Sequence, residues 1–298
     1  MWFLYALIHV FLLALVNYTD EHLAIDNKLP KKATIHTKVG SVLLISTLMS
    51  FVGAGLIALV TGMTQLSPFA RNLALLSSIP VVSMWATYFY LLQTYPVHQV
   101  VPLFQISSIW LLVIEIILGG SISTVGLLGI VALIYGEYIL DAGTFKWKIP
   151  TKLLLIAIPA TSTWAIALYM VRVASANDSA IAVSIWQMLA IGTIGIFLLL
   201  FVKQYREGFV YRIKNQGKKF LGLSLANETF AEVGYAFSFL SVAIAPVAAY
   251  VSAMSGIQSL FVMILFLILP RGDRAKVTKM QLIAVTLIMI GVFIIERG

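Results

Sequence analysis

The chain has 298 residues, of which 60% are hydrophobic and 11% charged, with mean hydropathy +0.98, a formal charge of +8 and no cysteine. A soluble domain carries roughly 25% charged residues, so the composition excludes an ordinary soluble enzyme and points to an all-α integral membrane protein. It also excludes a disulfide framework or thiolate metal site, and the scatter of basic residues over short links argues against a nucleic-acid surface.

Ten apolar segments near bilayer-spanning length follow one another, at 1–22, 39–62, 72–94, 96–118, 122–141, 151–174, 179–202, 217–243, 246–269 and 278–296. None alternates apolar and polar residues as barrel strands do. The first segment opens MWFLYALIHVFLLALVNY without a basic leader or cleavage site, so it reads as a retained span. It carries His9, for which a satisfied buried hydrogen bond is expected, and ends near Asp20, a candidate acid at a cavity mouth or simply a solvated loop acid. GAGLIA (53–58) in the second segment mimics a dinucleotide fingerprint but lies inside a span, where close helix packing accounts for it.

The third segment offers Trp85 and Tyr88 as candidate cavity residues. The fourth opens with Pro96, as first turns do, and offers Gln105, with Glu115 near its far end. After the tight link GGSIST, the fifth segment bears Glu137 near its other end, where an interfacial position is expected. Trp164 lies within the sixth segment, and Arg172 near its end reads as an interfacial arginine. Asn177 or Asp178 is expected to cap the seventh, which contains Trp186 and Gln187. The ninth opens with Pro246 and offers Tyr250, Ser255 and Gln258. Rings, hydroxyls and amides of this kind suit a cavity for a small amphipathic solute, and equally suit helix packing.

Of the 20 Lys and Arg residues, all but Arg71, Arg172 and Arg297 fall in the odd-numbered links. Cytoplasmic links carry such an excess, which puts both termini outside. The chain also repeats. Residues 95–118 align without gaps on 245–268, Pro96 falling on Pro246, and residues 123–140 align on 278–295, Gly136 falling on Gly291. A repeat of five spans is odd-numbered, so its copies, 1–145 and 146–298, are expected to be inverted. Secondary transporters use that device, with the binding site between the copies.

With its five-plus-five layout, the segment NYTDEHL (17–23) closing the first span and these two aligned pairs, the chain resembles the drug/metabolite transporter superfamily, specifically EamA-type ten-helix permeases. Relatives often show an Asn…Asp-Lys-Tyr-Leu pattern there, and Glu21 stands where it favours Lys. The resemblance implies a transporter of small organic solutes in the cell (inner) membrane, with a cavity lined mainly by spans one, three, four, six, eight and nine. It also implies Glu115 as the family's acid ending span four, although its second-half counterpart is Leu265. Relatives are usually drawn with both termini cytoplasmic, opposite to the charge count here.

The most informative segment is the eighth, LGLSLANETFAEVGYAFSFLSVAI (221–244). Ser224, Glu228, Glu232 and Tyr235 follow helical spacing and form one polar stripe, with Asn227 beside it. A carboxylate at mid-membrane costs about 2.5–3.5 kcal/mol on insertion scales, so two of them must face a wet cavity, pair with a cation or hold a proton. They are expected to bind the cationic part of a substrate, a coupling proton, or each in turn; the competing reading is a structural link to another helix. No histidine spacing supports a metal, and no phosphate loop or catalytic elbow appears. The expected protein is therefore a cofactor-free, non-enzymatic secondary carrier, with an exporter favoured by the resemblance. Amino acids or amines are its expected solutes and protons a candidate partner, in a monomer or homodimer. A non-transporting scaffold or sensor and a lipid flippase are the competing functions.

Overall fold

The computed structural model describes residues 1–24, 33–63, 65–95, 97–142, 150–268 and 278–297. These form α1 (Trp2–Ala24), α2 (Ile35–Thr61), α3 (Pro68–Leu92), α4 (Val97–Phe104), α5 (Ile106–Ile117) and α6 (Thr124–Ala142), followed by α7 (Thr151–Ser175), α8 (Ala180–Phe201), α9 (Lys203–Ile244), α10 (Ala248–Met254), α11 (Ile257–Ile268) and α12 (Lys279–Arg297). Among the described residues, six stretches are long and apolar enough to cross a membrane: α2, α3, α7, α8, α12 and the run Ala248–Leu265. Outward-facing side chains such as Leu59, Val60, Phe69 and Leu155 are mostly exposed, an apolar surface that suits lipid and not water. The protein is an all-helical membrane protein.

The described residues of the ten predicted segments are largely helical, but not as ten unbroken rods. The fourth predicted span is two helices, α4 and α5, meeting at Gln105, and the ninth is two more, α10 and α11, meeting at Ser255–Gly256. At both junctions the helix restarts on a tight turn, with Ser108 N–H donating to the Gln105 carbonyl at 2.9 Å and Gln258 N–H to the Ser255 carbonyl at 2.9 Å. Breaks of this kind arise at proline or at Ser/Gly pairs; Pro102 precedes the first and Ser255–Gly256 forms the second. The eighth predicted span is also longer than expected. α9 begins fourteen residues before Gly217 and bends there (φ 60°, ψ −150°), a backbone region open almost only to glycine.

In lipid there is no hydrophobic drive between helices, so packing relies on close van der Waals approach at small residues. α6 and α12 show this directly. A Cβ on Gly136 would come within 2.8 Å of Ile288 Cγ1, 3.0 Å of Ile288 N and 3.1 Å of the Ala284 carbonyl. One on Gly291 would come within 2.9 Å of Leu133 Cγ, 3.0 Å of Leu133 N and 2.9 Å of the Gly129 carbonyl. Around the middle of the bundle α9 packs on α1 and α2, and α7 packs on α3 and α5. At the α3 and α8 starts, Ser67 caps α3 through Ala70 N–H at 3.2 Å and Ser179 caps α8 through Ala182 N–H at 3.4 Å. The predicted cap Asp178 is used elsewhere: it accepts from Ser67 N–H and Oγ at 3.2 and 2.7 Å, tying the two helix starts together.

Candidate functional site

Both helix breaks face a central cavity of about 120 Å³. Its walls come from α1, α3, α4–α5, α7, α9 and α10–α11, and include Trp85, Tyr88, Gln105, Trp164, Tyr235 and Gln258. Asn17, Tyr88 and Val101 lie toward the ends of α1 and α3 and the start of α4. The cavity therefore runs from the breaks toward the end of the bundle where α1 and α3 finish and α4 begins.

The walls are aromatic and neutral. Tyr235 stands against Trp85 and Trp164, with ring centroids 5.7 Å apart in each pair, and 6.1 Å from the His9 ring. Such tilted and edge-on pairs each contribute about 0.5–1.5 kcal/mol beyond simple burial and hold a flat wall in place. Polar groups punctuate it. Tyr88 Oη donates toward Asn17 Oδ1 at 3.4 Å, and Gln258 Nε2 donates to the Leu13 carbonyl at 3.0 Å. His9 Nδ1 donates to the Gly234 carbonyl at 2.9 Å, the satisfied bond expected of it, while its ring also lines the cavity. The described lining contains no Asp, Glu, Lys or Arg.

The acids of the eighth predicted span stand elsewhere. Glu228 and Glu232 are buried, at 6% and 1% exposure, on the face of α9 that meets α2. Ser46 Oγ donates to Glu228 Oε1 at 2.7 Å, and Ser50 Oγ donates to Glu232 Oε1. Ser46, Ser50 and Gly53 form a stripe on α2 that mirrors the acid spacing on α9. A Cβ at Gly53 would come within 2.7 Å of Glu232 Cβ, so the glycine sets how closely that carboxyl approaches. Asn227 is buried and accepts a hydrogen bond from Thr19 Oγ1 of α1. Of that polar stripe, Tyr235 lines the main cavity, while Glu228 and Glu232 face α2 and Asn227 meets α1. The side chain of Asp20 lies outside the described residues.

Two further acids are buried. Glu137, expected at the interface, is fully buried and accepts from Ser259 Oγ of α11 at 3.0 Å. Glu115 is 9% exposed and does not snorkel. Its Oε1 accepts from Ala248 N–H at 2.9 Å, its Oε2 from Ala249 N–H at 3.2 Å, and Arg172 Nη1 lies 3.3 Å from Oε1. Arg172 Nη2 donates to the Pro246 carbonyl at 3.0 Å. This cluster joins α5, α7 and the start of α10 beside a vestibule of about 350 Å³, at the end of the bundle where α5 and α7 finish. Sequence reading took Glu115 and Arg172 separately; no spacing in one chain pairs residues on different spans.

No protein-family model and no curated protein matches the chain. A solved structure described only as "Crystal structure of protein" is similar to it, at 13% identity, TM-score 0.64 and 98% coverage of each chain. At that identity the likeness shows a shared fold. The fold is one that a very different sequence also adopts along its whole length.

Proposed function

We propose that the protein is a secondary transporter of the drug/metabolite type, which moves a small amphipathic solute by alternating access between two inverted five-span repeats, 1–145 and 146–298. The observation that carries this reading is a cavity built jointly from both halves at two matching helix breaks. Discontinuous helices meeting at mid-membrane are the device by which inverted-repeat carriers expose backbone groups to a solute.

Internal correspondence supports the repeats. The breaks at Gln105 and Ser255 are 150 residues apart, as are the tight-turn bonds that restart each helix and the contacting rings of Trp85 and Tyr235. The α6–α12 contact is reciprocal at an offset of 155: Gly136 meets Ile288 and Ala284, and Gly291 meets Leu133 and Gly129. A two-fold interface has this property, residue i touching j while the counterpart of i touches the counterpart of j. Helix neighbours follow the same exchange, since α1 with α9 matches α3 with α7, and α2 with α9 matches α3 with α8.

The neutral aromatic walls favour solutes that are uncharged or zwitterionic overall and carry a flat or apolar part. A free amine finds no acid in the described lining, which moves the preference from amines toward amino acids and similar zwitterions. The Glu115–Arg172–Pro246 cluster acts as the closure of the opposite end while the cavity faces the basic side. That side is the cytoplasm by the Lys/Arg excess, the side from which an exporter would load. The scaffold reading predicts a dry interior around the eighth predicted span, and the flippase reading a lateral opening with a basic headgroup site; the polar, uncharged groups of the described cavity lining favour the carrier.

The test is quenching of intrinsic tryptophan fluorescence in purified protein by a panel of amino acids, amines and nucleosides, followed by counterflow in proteoliposomes. Binding of an aromatic zwitterion that falls about tenfold or more in Trp164→Ala supports the reading. A panel that gives neither saturable quenching nor counterflow refutes it.

A further inference from the structure

Behind the aromatic wall lies a second, smaller space. It is a recess of about 10 Å³, about one water-probe sphere and therefore at the lower limit for a single molecule of water. Trp85, Trp164 and Tyr235 line both this recess and the main cavity, so the same three rings form a partition between the two. The other walls are aliphatic, Met and Phe side chains, except for two polar groups: Glu232 and Gln187.

Both groups have unmet hydrogen-bonding capacity. Gln187 is 1% exposed, and its Nε2 donates to Ser77 Oγ at 2.7 Å. The Ser77 hydroxyl already donates to the Ala74 carbonyl at 2.8 Å, so it accepts from the amide nitrogen, and this fixes which way the amide points. Gln187 Oε1 is left with no partner among the described residues. A buried acceptor in that state costs about 1–3 kcal/mol. Glu232 has one polar partner among the described residues, the Ser50 hydroxyl, and no cation. A lone carboxylate in such surroundings is expensive, whereas a neutral carboxylic acid brings a donor that the recess lacks. A polar space of one-molecule size with an orphan acceptor and a carboxyl is the setting in which buried water is found.

We propose that the recess holds one water molecule bridging Glu232 and Gln187 Oε1, and that this pair is the proton-coupling site of the carrier. The inference rests on the transport reading above. The step balances as a plain proton transfer. With Glu232 neutral, its O–H donates to the water and the water donates to Gln187 Oε1. When the partition shifts, the water takes the carboxyl proton and releases one to water in the main cavity, leaving a carboxylate held by Ser50 and the recess water. The reverse sequence reloads it. A solute stacked on the cavity face of Trp85, Trp164 and Tyr235 presses on the rings that shield the acid, which links the two loads through one wall. The titratable groups around Glu232 are Glu228 one turn earlier, Tyr235, and His9 beyond Tyr235. The facing parts of α2, α3, α7 and α8 present Ser50, Val81 with Trp85, Trp164, and Gln187 with Met188 and Ile191, all without charge.

Two measurements test it. In proteoliposomes, Glu232→Gln and Gln187→Met are each compared with native protein in solute counterflow without a gradient and in uptake driven by a pH gradient. Counterflow within about twofold of native, with gradient-driven accumulation reduced about tenfold or more, is the expected result for both. Gradient-driven accumulation at native levels in either variant overturns the coupling role. Infrared difference spectra of purified protein across neutral pH supply a readout independent of transport. A protonated-carboxyl band that vanishes in Glu232→Gln and shifts in Gln187→Met is expected, and a band absent or unmoved by Gln187→Met overturns the water-bridged site. Native protein without counterflow for any solute overturns the carrier reading, and the coupling role with it, while the infrared result still decides the recess.

Discussion

Glu115 offers the sharpest test of the proposed closure at the end where α5 and α7 finish. Replacing it by Gln keeps its shape but leaves one carbonyl oxygen where two carboxylate oxygens accepted from Ala248 and Ala249 N–H. One of those N–H groups then faces an amide NH₂ and goes unpaired, which costs about 1–3 kcal/mol when buried. The contact to Arg172, whose side chain is 26% exposed, is screened by solvent and adds no more than about 1 kcal/mol. In an open state the same N–H groups are free to meet water, so the loss falls on the closed state alone. A net shift of about 2–3 kcal/mol corresponds to roughly 30- to 150-fold in conformer population. The chain has no native cysteine, so a single Ser255→Cys at the cavity-lining break reports access with a membrane-impermeant maleimide applied from either side. The native background should label readily from the basic side and slowly from the opposite one. Glu115→Gln should raise the slow rate tens-fold, and Arg172→Gln, which spares both N–H bonds, about fivefold or less. An opposite-side rate unchanged within twofold in folded Glu115→Gln protein, or a larger effect from Arg172→Gln, refutes this account of the closure.

Ser50→Ala strips Glu232 of its one described partner and should lower stability by about 1–3 kcal/mol, read from thermal unfolding in detergent, with a smaller loss when Glu232→Gln is already present. Gly136→Leu and Gly291→Leu push side chains into counterpart atoms at 2.8–3.1 Å and 2.9–3.0 Å. Each should cost about 1–3 kcal/mol by overpacking, and a difference above about 1 kcal/mol between the two would argue against a symmetric contact. Gly217→Ala introduces a Cβ with nothing within 4 Å but at a glycine-only backbone angle. It should cost about 1–3 kcal/mol through strain alone, and a stability equal to native would show that the bend between the two parts of α9 relaxes freely.

Much of this protein is written in its composition and spacing. Runs of apolar residues near bilayer length force helix, because lipid offers no other partner for backbone N–H and carbonyl groups, and so the described parts of these segments are largely helical. The polar stripe of 224–235 and the rings at Trp85, Trp164 and Tyr235 were legible for the same reason, since period and side-chain type survive without knowledge of neighbours. What the chain leaves open is which neighbour each face receives. Glu228 and Glu232 carry the same spacing whether they meet water or the serines of α2, and Glu115 and Arg172 look interfacial until α5, α7 and α10 are brought together. The breaks at Gln105 and Ser255 likewise depend on a partner backbone ready to line the gap. Periodicity is a property of one helix and was decided locally; cavity, closure and recess are properties of helices in contact, and only the tertiary structure selects them.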